Sequence, residues 1–405
     1  MVSCRKYTTF ILKYSVEMGT DFPRKKCTFG AMHIEKLSIV NFKNYRQVEV
    51  ELASEINCFV GSNGAGKTNL LDAVHYLSMC RSYLNPIDSQ NILFDEQFFV
   101  IQGLWRKDEV ADQLFCGVKR GTKKVFKKNK VQYEKLAEHI GSYPSVMISP
   151  YDRNLISEGS ELRRKWMDGI IAQFDRHFLD DLIKYGKVLD QRNALLKNMA
   201  EFGFFNRESM EVWDAQLVTY GQRIYRSRSA FLEEFIGVFQ KYYDDLSDQK
   251  ETVGLEYKSH LLEGDFLEQL KLAEGQDHRK QFTTIGIHKD DLIFTINGHP
   301  VKRFGSQGQQ KSYLIALKLA QFEWLTRHLK VKPIMLLDDI FDKLDNKRVG
   351  RLMELVSDNN FGQVLVTDTD EERVKRIFDN IQLPFKLFKV HENEVTVSQK
   401  EIVEE

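Results

Sequence analysis

The chain of 405 residues carries 58 basic and 58 acidic side chains for a formal net charge of +0, with 42% hydrophobic and 12% aromatic residues. Its length exceeds what one hydrophobic core supports, its composition excludes a disordered chain, and its zero net charge leaves any nucleic acid to be held by local patches. Five cysteines, Cys4, Cys27, Cys58, Cys80 and Cys116, form no C-x-x-C pair, which fits a reducing, cytoplasmic compartment, and no apolar run approaches the roughly 18 residues of a membrane span.

Residues 1–31 show no sustained period and are expected to be an extension, or the product of an upstream start codon. Ile34 to Phe42 reads as a strand, Val48, Val50 and Leu52 alternate with Glu49 and Glu51 in a half-exposed one, and Ile56 to Val60 is a short apolar run. These three are expected to share the sheet that presents the next segment. That segment, Gly61-Ser62-Asn63-Gly64-Ala65-Gly66-Lys67-Thr68, fits G-x-x-x-x-G-K-[ST] at every fixed position. Leu70, Leu71, Val74 and Leu77 follow at helical spacing, which completes a strand, glycine loop and helix. The glycines let the backbone turn tightly enough for several N–H groups to converge on one phosphate, and the helix N-terminus adds the positive end of its dipole. In that geometry Gly61 through Thr68 form an ATP cradle, with Lys67 reaching the β- and γ-phosphates and the Thr68 hydroxyl a ligand for Mg²⁺.

Phe98 to Trp105, Gln113 to Val118 and Lys124 to Val131 read as an antiparallel meander with turns at Gly121 and Asn129. Lys119, Arg120, Lys123, Lys124, Lys127, Lys128 and Lys130 crowd its tip, either as a surface for a DNA backbone or as a solvated hairpin end that discourages edge pairing. Val146 to Ile148 is a short strand ahead of the turn Ser149-Pro150-Tyr151-Asp152. From Ser160, a candidate N-cap, the period becomes helical, with Leu162, Trp166, Ile170 and Phe174 on one side. Arg163, Arg164 and Lys165 lie on the other, as a second DNA-facing patch or as ordinary solvated charge. Helical patterning continues through 182–199 and 212–239, where Leu217, Tyr220, Ile224, Phe231 and Phe235 make a core stripe. The region from about 151 to 280 is thus mainly helical, with a strand at Val253 to Tyr257.

Asp291 to Ile296, Asn297-Gly298 and Val301 to Phe304 predict a type I′ hairpin. Ser306-Gln307-Gly308-Gln309-Gln310 then opens a helix through Arg327, a second helix end suited to an anion. Ile334 to Leu337 reads as a buried parallel strand closed by Asp338 and Asp339, the Walker B arrangement. Asp338 is the candidate Mg²⁺ ligand; Asp339 is the candidate to orient or deprotonate the attacking water, and with Lys67 it makes the catalytic set. A helix to about Ser357 and a strand from Gln363 to Thr367, ending at Asp368, follow.

The G-x-N-G-x-G-K-T-N loop, the Ser306 to Gln310 signature, the Walker B strand and a D-loop at Asp342 to Asp345 resemble the ABC-type ATPase heads of the SMC group. More narrowly, the chain resembles the RecF family of bacterial recombination mediators, from Met32 to about the C-terminus. The matching stretches are Leu37 to Tyr45, Pro150 to Asp152, Arg163-Arg164, Trp213-Asp214, Gly286 to Asp291, Asn297-Gly298 and Ser306 to Lys311. SMC proteins insert a long coiled coil between Walker A and Walker B, whereas the 270 residues between Thr68 and Asp338 show no sustained heptads.

The resemblance implies an α/β fold, an ABC-type P-loop ATPase head (a mixed sheet with an antiparallel subdomain) plus a mainly helical arm domain. Its expected division is an extension at 1–31, an ATPase lobe at 32–150, the arm at 151–282 and the rest of the lobe at 283–405. It also implies an ATP-dependent homodimer in which Ser306, Gln307, Gly308 and Gln309 of one chain meet the nucleotide of the other. Weak DNA-stimulated hydrolysis would act as a switch for binding single-stranded or gapped DNA. RecR and RecO are the implied partners in loading recombinase, with roles in replication and the SOS response and no membrane partner. Ile287 stands where the family usually has proline, Asp339 is shorter than the glutamate of many ABC heads, and Thr367 and Asp368 stand where those heads often carry a switch histidine; slow hydrolysis is the expected consequence. Two other readings are weighed: a transporter ATPase subunit, against which the helical insertion and basic tip speak, and an SMC-like structural head, against which the absence of heptads speaks.

Overall fold

The computed structural model describes residues 30, 32–203, 206–247, 251–341, 346–357, 361–381 and 383–400; the D-loop at 342–345 and nearly all of the expected extension fall outside them. In chain order, β1 (Met32–Phe42) and β2 (Tyr45–Glu51) form an antiparallel pair, and β3 (Ile56–Val60) leads through the glycine loop into α1 (Lys67–Met79). Then come β4 (Phe98–Lys107), β5 (Val110–Lys119), β6 (Val125–Lys128), β7 (Val131–Gln132) and β8 (Ser145–Ile148). The helices α2 (Arg153–Ser157), α3 (Ser160–Phe174), α4 (Arg176–Phe202) and α5 (Arg207–Ser247) precede β9 (Val253–Lys258) and α6 (Phe266–Lys280). After β10 (Asp291–Ile296), β11 (His299–Pro300), α7 (Val301–Phe304) and α8 (Gln307–Leu329), the chain alternates through β12 (Ile334–Leu337), α9 (Asn346–Ser357), β13 (Val364–Asp368) and α10 (Glu371–Ile381) to the hairpin β14 (Phe385–His391) and β15 (Glu394–Lys400).

The described strands form an antiparallel sheet, β2-β1-β4-β5-β6-β7, a small sheet, β11-β10-β9, and a mixed sheet, β15-β14-β3-β13-β12-β8. In the last, β14, β3, β13, β12 and β8 run parallel. The expectation that β1 and β2 share the sheet of β3 is therefore corrected. The reason is burial: β3, β8, β12 and β13 are buried at every position, so each face of their sheet needs its own cover. Ile56, Cys58, Val60, Met335 and Leu337 pack with the helices, whereas Phe59, Ile334, Leu336 and Leu365 pack with α1 and the inner face of the antiparallel sheet.

Two local expectations also change. Asn297 and Gly298 do take positive φ, 50° and 76°, but only His299 and Pro300 return as strand. Pro300 has no N–H to extend the ladder, and Val301 to Phe304 coil into a helical turn behind it. In α3 the N-cap is Gly159, and Ser160 is the first helical residue.

Candidate functional site

The parallel strands end on one edge, where open α/β sheets gather their ligands. There β3 delivers the glycine loop, β8 leads to Ser149, β12 to Asp338 and Asp339, and β13 ends in Thr367 and Asp368. Thr68 Oγ1, on the first turn of α1, donates to Asp338 Oδ1 at 2.7 Å. The same carboxylate accepts from Thr367 Oγ1 at 2.9 Å and from Ser149 Oγ at 3.1 Å. Ser149 does not stand out in the sequence and Thr367 does so only as the residue in place of a switch histidine; what brings both hydroxyls to Asp338 is that β13 and β8 flank β12 in the sheet. Asp339 lies in the left-handed region with φ 45°, and its N–H donates to Thr367 Oγ1 at 3.0 Å.

In the loop itself Gly64 and Gly66 have φ of 83° and 108°. A Cβ on Gly66 would come within 2.4 Å of Asn44 Nδ2, while one on Gly64 would meet nothing within 4 Å, so the outer side of the loop is open. Ser62 and Asn63 are exposed, whereas Ala65 and Gly66 are buried. Gly61 is needed for packing instead: a Cβ there would strike the Val390 carbonyl on β14 at 2.2 Å. Lys67 is buried, and its ammonium donates to Gly61 O at 2.8 Å and Ser62 O at 3.1 Å. No side chain caps α1 among the described residues. Behind the loop, Asn44 donates to Ala65 O at 3.4 Å and to Asn393 Oδ1, and accepts from Asn69 Nδ2 at 2.6 Å. An uncapped helix end beside open space, with an ammonium at its mouth, has the chemistry of an anion cradle. The adjoining Thr68 hydroxyl and Asp338 carboxylate are hard oxygen donors of the kind Mg²⁺ takes together with phosphates and water.

The signature is finished differently. Ser306 Oγ accepts from Gln309 N at 3.2 Å, and Ser306 N donates to Gln309 Oε1 at 2.7 Å, a complete capping box on α8. Gln309 Nε2 also donates to Glu251 Oε1. Ser306 and Gln307 are exposed and Gly308 is half-buried. A cleft of about 380 Å³ is lined by Ser149 and Asp338 together with Gln307, Gln310 and Lys311.

Of the candidate DNA contacts, Lys119, Arg120 and Lys123 are exposed, and Lys127 is half-buried over the Phe115 ring. Lys124 turns inward to the Cys80 carbonyl at 2.6 Å and to Asp88 at 2.8 Å, and Lys128 pairs with Asp112 at 3.0 Å. Arg163, offered either as part of a second DNA-facing patch or as solvated charge, is neither. Arg163 is buried, with a bidentate pair to Asp291 at 2.8 and 3.1 Å, and Arg164 donates to Ser160 Oγ and the Asp290 carbonyl. A buried guanidinium has to be paired, so Arg163 braces α3 against the start of β10. Under α1, burial depresses the pKa of His75 and of His139 to about 4, and His139 Nε2–H donates to Leu77 O at 2.7 Å.

A glycine loop on a parallel sheet, neighbouring strands tipped with acid and hydroxyl, and a glycine-polar helix end define an ABC-type P-loop ATPase head of the SMC-like class. A family model described as an AAA ATPase domain matches residues 32–202. The DNA replication and repair protein RecF of Phocaeicola vulgatus is 47% identical over 375 residues, 92% of this chain and 100% of that one. A solved structure of the recombination mediator protein RecF with ATP superposes with a TM-score of 0.83 at 29% identity, over 92% of this chain and 99% of that one. An Smc head domain from Pyrococcus furiosus, at 17% identity and a TM-score of 0.52 over 90% and 96% of the two chains, shares the fold. The chain belongs to the RecF family, proteins of DNA replication and repair.

Proposed function

We propose that the chain is an ATP-controlled DNA-binding protein of recombinational repair, in which two copies close over two nucleotides. The observation that carries this reading is the 2.7 Å hydrogen bond between Thr68 and Asp338, which joins the two halves of a nucleotide motif. Gly61 through Thr68 take the phosphates, and the Lys67 ammonium leaves its two loop carbonyls for the β- and γ-phosphates. Thr68 and Asp338 hold Mg²⁺, which when bound offsets charge on the phosphates. Asp339 orients or deprotonates the attacking water, while Ser149 and Thr367 fix the Asp338 carboxylate.

Ser306, Gln307, Gly308 and Gln309 act in trans on the partner's nucleotide. ATP favours a closed dimer only if the partner touches the γ-phosphate and loses that contact on hydrolysis. Hydrolysis is then weak and DNA-stimulated, a switch for holding single-stranded or gapped DNA. Residues 32–150 and 283–405 form the ATPase lobe and 151–282 the arm; RecR and RecO are partners in recombinase loading, in the cytoplasm, with a role in the SOS response.

Sedimentation with ATP, ADP or no nucleotide, each with and without gapped DNA, tests this. A dimer formed only with ATP, and DNA retained only by that dimer, is the expected result. A sedimentation coefficient indifferent to nucleotide would end the switch reading.

A further inference from the structure

The antiparallel sheet turns one face to the core, through Phe99, Ile101, Leu114, Cys116 and Phe126. The register fixes what stands on the other face. Phe98 lies opposite Lys119, Gln102 opposite Phe115, and Phe115 opposite Lys127, and partners across an antiparallel pair share a face. Phe98 is 42% exposed, and Phe94, in the turn that leads to β4, is 84% exposed. The Lys127 ammonium lies 5.5 Å from the centroid of the Phe115 ring. Arg120 is pinned beside the two phenylalanines, its N–H donating to Gln97 O at 3.0 Å and its Nε to Glu96 O at 3.3 Å. Lys119, Arg120 and Lys123 form no ion pair among the described residues. At the far edge β2 places Glu49 and Glu51 on the same face, Glu49 paired with Lys36 at 2.6 Å. The face is therefore polarised, aromatic and cationic along β4 to β6 and acidic along β2.

We propose that this outer face binds single-stranded DNA along β4, β5 and β6. Bases stack on Phe94, Phe98 and Phe115, and phosphates meet Lys119, Arg120, Lys123 and Lys127. The inference rests on the DNA-binding reading above and adds where the strand runs and by what chemistry. An exposed ring offers a stacking partner to any base, and the interleaved cations complement the backbone. A duplex, whose bases already stack on each other, can use only the cations. The single strand is thus preferred at this surface, without sequence selectivity.

The test is equilibrium binding of the full chain with ATP to an oligo(dT), to a duplex of equal length and to a 2-aminopurine oligonucleotide, over a range of salt. The double variant Phe94→Ala/Phe98→Ala is expected to weaken oligo(dT) binding by about 5- to 100-fold and to lose the stacking-induced quenching of 2-aminopurine, with the duplex affinity and the salt slope kept. Phe98→Tyr alone, which keeps the ring, should bind oligo(dT) as the parent does. Lys119→Gln should weaken both substrates and lower the single-strand salt slope by about 0.7. Both phenylalanines are exposed, so the melting temperature should stay at the parent value. If the parent binds both DNAs and the double variant binds oligo(dT) equally well, or loses both DNAs in parallel, or changes only its oligomeric state, the stacking surface is wrong while the DNA-binding reading stands. If the parent binds neither DNA, both fall.

Discussion

Two helix N-termini in this protein open from glycine-polar loops, and they are completed in opposite ways. Helix α1 begins at Gly66 without a side-chain cap, whereas α8 begins at Ser306 inside a capping box with Gln309. The first-turn N–H groups of a helix need partners from somewhere. At α8 the Ser306 hydroxyl takes the Gln309 N–H, and Gln309 is further tied to Glu251. At α1 the Asn69 N–H turns back to Gly66 O at 2.9 Å, no side chain caps the end among the described residues, and the loop is held from behind by Asn44 and Asn69. An open end held in shape suits a nucleotide that stays with its own chain. A self-capped end is stable without a ligand and suits a contact that forms and breaks, as a partner's nucleotide would require.

The largest expected effect is at the open end. Lys67→Ala removes an ammonium that supplies charge at the loop's mouth, so ATP affinity should fall by at least about 100-fold, read by titration with a fluorescent nucleotide. An unchanged affinity would strip α1 of its assigned role and remove the contrast altogether.

Ser306→Arg should abolish ATP-induced dimerisation while leaving the affinity of a single chain for ATP within about twofold, because the α1 contacts are untouched. Mixing Ser306→Arg with Lys67→Ala chains sharpens this. A composite dimer then has one site with both lesions and one with neither, and partial hydrolysis should return. If Ser306 served its own chain's nucleotide, each mixed site would carry one lesion and no activity would reappear.

A smaller change is expected at the tie itself. Glu251→Gln keeps the shape but removes the charge that Gln309 and the Tyr243 hydroxyl point to. It should loosen the capping box toward an incoming anion and strengthen ATP-induced dimerisation by about threefold, on the order of 0.7 kcal/mol. Weaker dimerisation in this variant would mean that the tie holds the signature in its active shape.

The smallest effect concerns the support under α1. His75 sits on α1 near Asp72, which favours its charge, and near Arg81, Lys318 and Lys43, which oppose it; His139 has Lys128 nearby. Burial dominates and holds both pKa values at about 4, below the 6.5 of the free side chain. The unfolded chain therefore takes up protons that the folded chain refuses, and stability present at neutral pH is lost as pH falls from 6.5 toward 4. Between pH 7 and pH 6 the loss should be about 0.7 kcal/mol for each imidazole, visible as a modest drop in Tm. His75→Gln/His139→Gln should flatten that slope, and an equal slope in the variant would place the titrating groups elsewhere.

The parts of the site whose chemistry is local can be read along the chain. The run from Gly61 to Thr68, the apolar strand before Asp338 and the polar start of α8 are each legible because a phosphate loop, an acid-tipped strand and a helix end are built from neighbouring residues. Periodicity likewise gave the helices of the arm, since it reports which face of an element is apolar. It does not report what lies against that face, and there the tertiary structure decided. Separate sheets for β1 and β3, and the hairpin β14–β15 whose Val390 carbonyl and Asn393 side chain shape the glycine loop, follow from strand order. The Ser149 and Thr367 hydroxyls become partners of Asp338 only because β8 and β13 flank β12. Arg163, which reads as surface charge on a helix, is buried because Asp291, 128 residues away, comes to meet it. A hydrogen bond or ion pair acts over about 3 Å, and which residues come that close across a long stretch of chain is set by packing and strand order rather than by sequence spacing.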